Sequence, residues 1–209
     1  MSDMSKVYDL FRQKAEAVSA VVTEIGSIAE AFDYVVDICD KKEACKLLVA
    51  GCEENLSDKA EALCDAKQEK IICAPGFSKK DYAALEKRCK EKGFVLIDSG
   101  MRGHLAGIDI GVTHCAAGIA ETGSIVVDSD SEELRLATMI SEFHVAILPK
   151  SKVVADSYDY EADFLKRLKK GANYQAFITG ASRTADIERV LAIGVHGPLE
   201  LHILLLEDN

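Results

Sequence analysis

The stretch Lys70-Ile-Ile-Cys-Ala-Pro-Gly-Phe-Ser78, continued after a charged amphipathic segment by Gly93-Phe-Val-Leu-Ile-Asp98, decides the fold class. Lys70–Ala74 reads as a strand closed by Pro75-Gly76. Ser78 then caps a helix over Lys79–Lys92, which stops at Gly93, and Phe94–Asp98 is the next strand. Apart from Lys70 and Asp98 at their outer ends, both strands are apolar rather than alternating. That is the signature of strands buried on two faces, as in a parallel sheet with helices on both sides.

The same alternation extends in both directions. Upstream, Lys46–Ala50 reads as a strand ending at Gly51, and Glu53–Lys67 as a helix. Tyr34–Ala44 is helical, and Met4 to about Ala31 has apolar residues spaced as in one long amphipathic helix. Downstream, Gly107–Ala120 and Gly123–Asp128 read as strands meeting at a turn around Glu121-Thr122-Gly123. Helices follow over Glu132–Ile140, Asp159–Lys170 and Ala185–Ile193, with strands at Phe143–Leu148, Tyr174–Thr179 and Glu200–Leu206. The expected fold is a Rossmann-like α/β domain over 45–209 with a mainly parallel sheet flanked by helices. An N-terminal helical segment, 1–44, is packed on that core or extends from it.

Composition narrows the function classes. The 209 residues carry 25 Lys+Arg against 35 Asp+Glu, a net charge of -10, which argues against a general binder of phosphate backbones. No apolar run is long enough to span a bilayer, and Met1–Glu16 lacks the apolar core of a signal peptide, so a cytoplasmic protein is expected. The seven cysteines (Cys39, Cys45, Cys52, Cys64, Cys73, Cys89, Cys115) show no C-x-x-C spacing. They read as reduced, mostly buried thiols rather than cluster or zinc ligands, and no metal is expected in this chain. Neither G-x-G-x-x-G nor a Walker A sequence is present.

Three motifs carry chemistry-bearing residues. In Gly118-Ile-Ala-Glu121-Thr122-Gly123-Ser124 a carboxylate sits on a glycine turn. Glu121 reads as a nucleophile or general base with Thr122, Gly123 and Ser124 offering donors, or as an ordinary polar hairpin. In Thr179-Gly180-Ala-Ser182-Arg183-Thr184-Ala-Asp186-Ile-Glu188 a strand enters a helix start, where backbone N–H groups attract anions. Gly180, Ser182, Arg183, Thr184 and Asp186 are therefore candidate ligand contacts, the alternative being a self-capped helix. In Gly194-Val-His196-Gly197-Pro198 the imidazole is an acid/base candidate or a loop-stabilising group.

Several ordered motifs resemble the LUD domain of lactate-utilization proteins, the C type of the Lut lactate-oxidation system in particular. They are Gly111-Val-Thr113, Ile119–Val127, Leu134-Arg-Leu136, Phe143–Lys150 with Val153-Val154, Gly180–Glu188, Gly194–Pro198 and Leu201–Leu205. The resemblance implies a fold like that of ribose-5-phosphate isomerases and CoA-transferases. It also implies a part in oxidising lactate to pyruvate beside partner subunits that hold iron–sulfur clusters. This chain has no cluster-binding cysteine module and so matches the cluster-free, accessory subunit, with no cofactor of its own expected and a small anionic ligand (lactate, a phosphate-bearing compound or one like CoA). Homo-oligomerisation stays open. The Ala120-Glu121-Thr122-Gly123 turn is similar to the turn that carries the nucleophilic glutamate of CoA-transferases. A stand-alone acyl- or CoA-transferase using Glu121 is accordingly the second reading.

Overall fold

The computed structural model describes residues 2–44, 58–59, 62, 69–104, 107–171, 173–184, 192–193 and 197–208. The elements in chain order are α1 (Ser2–Ala17), β1 (Ala20–Ile25), α2 (Ile28–Lys41), β2 (Ile71–Cys73), α3 (Lys79–Glu91), β3 (Val95–Ile97) and β4 (Ile108–His114). There follow β5 (Ala117–Ile119), β6 (Ser124–Asp128), α4 (Glu132–Met139), β7 (Ser141–Pro149), β8 (Val153–Val154), α5 (Ser157–Leu168), β9 (Gln175–Ile178), β10 (Arg183–Thr184), β11 (Ala192–Ile193) and β12 (Glu200–Leu206).

The α/β expectation holds. Six strands in the order β1-β12-β7-β4-β2-β3 form a parallel sheet. The capped helix of the central stretch is in place. Ser78 Oγ accepts the Asp81 N–H at 3.1 Å, and Gly93, with φ +72°, ends α3. At α2, Ser27 is the N-cap, its Oγ accepting from Glu30 N, while the Glu30 carboxylate reaches back to accept from Gly26 N and from the Ser27 hydroxyl.

Three expectations change. The single helix over Met4–Ala31 is interrupted: residues 20–25 are β1, paired in parallel with β12. Val18, Val21, Val22 and Ile25 fit helical spacing, but the Ala-Val-Val-Thr-Glu-Ile run is rich in β-branched residues. Ser19, at φ +66°, turns the chain between α1 and the strand. The strand expected over Gly107–Ala120 divides at Cys115-Ala116. Its first part, β4, lies in the parallel sheet, and its second, β5, joins a second sheet of order β8-β5-β6-β9. Within the helix expected over Ala185–Ile193, Ala192–Ile193 is β11, antiparallel to Arg183–Thr184, and residues 185–191 lie outside the described residues. So do the strand at Lys46–Ala50 and the helix at Glu53–Lys67, apart from residues 58, 59 and 62, which are helical.

The two faces of the parallel sheet bury different layers. Ile72, Ile110, Val112, Val145, Ile147 and Leu204 pack under α2 and α3 against Phe32, Val35 and Leu85. Ala146, Leu148, Leu201, Ile203 and Leu205 pack on the other side against Phe11 and Ala15 of α1 and Ile125 and Val127 of the second sheet. The strand period shows in β6: Ile125 and Val127 point inward, whereas Val126 points outward to Tyr160 of α5. Lys42, just past α2, ties the amino ends of the sheet together. Its Nζ lies 2.7 Å from Asp109 Oδ1 and 2.9 Å from Glu142 Oε2, and Asp109 Oδ2 accepts the Ile71 N–H at 2.8 Å. Burial pulls the Lys42 pKa down, but the hydrogen bonds to Asp109 and Glu142 hold it above its ordinary value.

Candidate functional site

The acidic turn between β5 and β6 and the Gly180 loop are neighbours, because β6 pairs antiparallel with β9 and brings residue 124 beside 179. A chain of hydroxyls joins them: Thr122 Oγ1 to Ser124 Oγ at 2.7 Å, and Ser124 Oγ to Thr179 Oγ1 at 2.6 Å. The glycines of both motifs serve close approach to the N-terminal segment. Gly123 and Gly180 have φ +65° and +74°, and a Cβ on them would lie 2.2 Å from Ala15 N and 2.1 Å from Val18 O. α1 and the turn after it therefore cover both motifs.

The Glu121 side chain is exposed, and its Oε1 accepts the Ser157 N–H at 2.9 Å, in the first turn of α5. A carboxylate there satisfies one of that helix's unpaired donors and complements its dipole. Asp156 accepts two more, from Tyr158 N and Asp159 N.

The loop after β9 lines a cavity of ≈ 340 Å³. Thr179, Gly180, Ala181 and Ser182 form one wall, Gly197 and Pro198 another, and α4 supplies Arg135, Thr138 and Met139. Leu201 and His144 place its floor near the amino ends of β12 and β7. The rim is apolar: Met139, Tyr174 and Phe177 are about half exposed. The Ser182 N–H donates to Pro198 O at 3.0 Å, so that amide is already used. Ser182 and Gly180 are the described candidates from this motif that line the cavity. Arg183 and Thr184 continue into β10, and Asp186 and His196 lie outside the described residues.

Sequence reasoning missed two polar groups here. His144 is buried, its Nε2 2.8 Å from Thr113 Oγ1, and burial, helped by the nearby His202, pushes its pKa down to about 4. The ring is therefore neutral at physiological pH, a hydrogen-bonding group rather than a cation. Arg135 donates to Ser129 O at 2.6 Å and stands over the Tyr174 ring. Both lay inside stretches that read as ordinary strand and helix. Only the tertiary fold brings them to one cavity.

Among the described residues, no group of three or more His, Cys, Asp and Glu side chains is placed to hold a metal ion. Cys39, Cys73, Cys89 and Cys115 are buried free thiols, and burial pushes each up to about 12. Cys45, Cys52 and Cys64 lie outside the described residues. No described helix is long and apolar enough to cross a membrane.

A parallel sheet backed by a second sheet, with a cavity over Leu201 and His144 between its coverings, defines a two-sheet α/β protein. The LUD domain family model matches residues 8–206, and the chain belongs to that family. Over 104 residues it is 33% identical to lactate utilization protein C 1 of Bacillus mycoides, a match covering 48% of this chain and 44% of that protein. It is 30% identical to lactate utilization protein C of Bacillus subtilis, covering 48% and 43%. The matched stretch is thus less than half the length of these relatives. An Escherichia coli protein, YkgG, is 24% identical over 96% of this chain and 79% of its own length. The crystal structure of a DUF162 family protein from Deinococcus radiodurans superposes with a TM-score of 0.63 at 15% identity, covering 98% of both chains, and shows the same fold.

Proposed function

We propose that the chain serves lactate utilization as a cluster-free LUD subunit, and that it binds a small carboxylate such as lactate or pyruvate in the cavity beside Ser182. The observation that carries this reading is that Ser182, Thr179, Arg135 and neutral His144 all line one cavity of ≈ 340 Å³ behind an apolar rim. Its size and its few convergent polar groups suit a small ligand. Family membership and the names of the relatives support the pathway.

Oxidising lactate to pyruvate removes two electrons and two protons, which a redox cofactor must accept. Iron–sulfur clusters on partner subunits supply that acceptor in this reading, and the chain itself positions the ligand. Calorimetric titration of the full chain with lactate and pyruvate tests it, with Ser182→Ala and Arg135→Gln as variants. Saturable binding weakened by both variants is expected. Lactate oxidation by the purified chain alone would overturn the accessory role.

The exposed carboxylate of Glu121, on a turn beside the Thr122–Ser124 hydroxyls, favours a second reading as an acyl- or CoA-transferase. Incubation with acyl-CoAs and hydroxylamine trapping of a Glu121 adduct tests it. An unmodified Glu121 across a panel of acyl-CoAs removes this reading, and full activity in Glu121→Gln removes the carboxylate from the chemistry.

A further inference from the structure

We infer that the chain carries a second anion site, for a small phosphate ester or diphosphate, on the opposite side of the second sheet's strand β5 from the first cavity's loop and sharing no lining residue with it. A cavity of ≈ 300 Å³ lies between the last turns of α5 and the Ser151-Lys152 turn, with Ala116 and Ala117 on its wall. It opens just beyond the carboxyl ends of β4 and β7, the side on which parallel sheets receive ligands.

Its charge runs against that of the whole protein. In a chain of net charge -10, Lys152, Lys166, Arg167 and Lys170 line this cavity with one carboxylate, Asp163. Arg167 pairs with Asp128, whereas Lys152, Lys166 and Lys170 have no ion-pair partner among the described residues. Lys166 and Arg167 in the last turn of α5 complement its dipole, which accounts for basic residues on that helix. It does not account for Lys152, which arrives from a different element. Three ammonium groups from two elements share this cavity with one carboxylate, and a multiply charged oxyanion complements that excess of positive charge. Ammonium groups, as compact rotatable donors, suit phosphate oxygens of varied orientation. The volume is at the small end of ligand sites and fits a phosphate or diphosphate group.

The test is calorimetric titration of the full chain with pyrophosphate at low ionic strength. Saturable binding is expected, weakened at least about tenfold in Lys166→Gln/Lys170→Gln by loss of two charge-assisted contacts. The exposed pair Lys79→Gln/Lys80→Gln, at the start of α3, leaves it unchanged, and so does Ser182→Ala, which separates this site from the carboxylate cavity. Absence of saturable binding overturns the inference. Equal weakening by the two lysine pairs overturns it too, since that is unspecific attraction. Binding lost in Ser182→Ala but kept in Lys166→Gln/Lys170→Gln places the anion in the first cavity and is equally fatal. Matched circular dichroism of the variants confirms that the fold is retained.

Discussion

The two faces of the parallel sheet are covered by different means. On one, α2 and α3 lie directly on Ile72, Ile110, Val145 and Ile147 and close a continuous apolar layer. On the other, α1 and the second sheet cover one part, while α4 and the loops around Gly180 and Pro198 leave a cavity over His144. Helices laid flat on a sheet fill space efficiently. A sheet-and-loop covering leaves gaps that polar groups can line. Stability should accordingly concentrate on the first face and ligand recognition on the second, and four measurements can break or sharpen that division.

The largest effect is expected from Phe32→Ala on the closed face. Phe32 is 1% exposed, and its truncation should cost about 3–5 kcal/mol in urea unfolding while leaving ligand affinity of the folded protein unchanged. A loss of affinity there would erase the division.

On the open face, the lowered pKa of His144 makes stability depend on pH. The folded pKa, about 4, lies below the ordinary 6.5, so the unfolded state binds the extra proton in that window. Stability is full above pH 6.5 and falls as pH drops toward 4, by about 3 kcal/mol in total. Urea unfolding across this range, compared between the protein and His144→Gln, should show this component absent from the variant.

Gly180→Ala would set a Cβ against Val18 O and force a positive φ on an L side chain. It should cost about 2 kcal/mol in unfolding and weaken ligand binding, because the loop carrying Ser182 must shift. The smallest effect, about 1 kcal/mol, belongs to Ser124→Ala, which cuts the hydroxyl chain to Thr179. A double-mutant cycle with Thr179→Val should show that the two losses are not additive.

Local signals made half of this legible. The apolar strands β2 and β3, the Ser78 cap and the Gly93 stop are short-range features that each residue's own chemistry dictates. The N-terminal strand was hidden because a run such as Val21-Val22 with Ile25 satisfies helical spacing as well as strand propensity, and only pairing with β12 decides. The break at Cys115 was hidden for the same reason: a continuous apolar run does not say which sheet each half joins. Thr122, Ser124 and Ser182 were readable as polar groups on turns. The contact of Glu121 with α5 and the gathering of Arg135 and His144 at one cavity depend on long-range register, which no window of sequence contains.

The seat of β12 between β1 and β7 has a consequence for how the molecule is made. Among the described residues β1 has β12 as its sole neighbour in the sheet, so a strand emerging early from the ribosome waits for residues 200–206 before its amides find partners. Such sequence-distant pairing slows folding and leaves open strand edges meanwhile. Nascent chains stalled short of position 200 should therefore be customers for chaperones, and release of the last strand should be the event that lets them go.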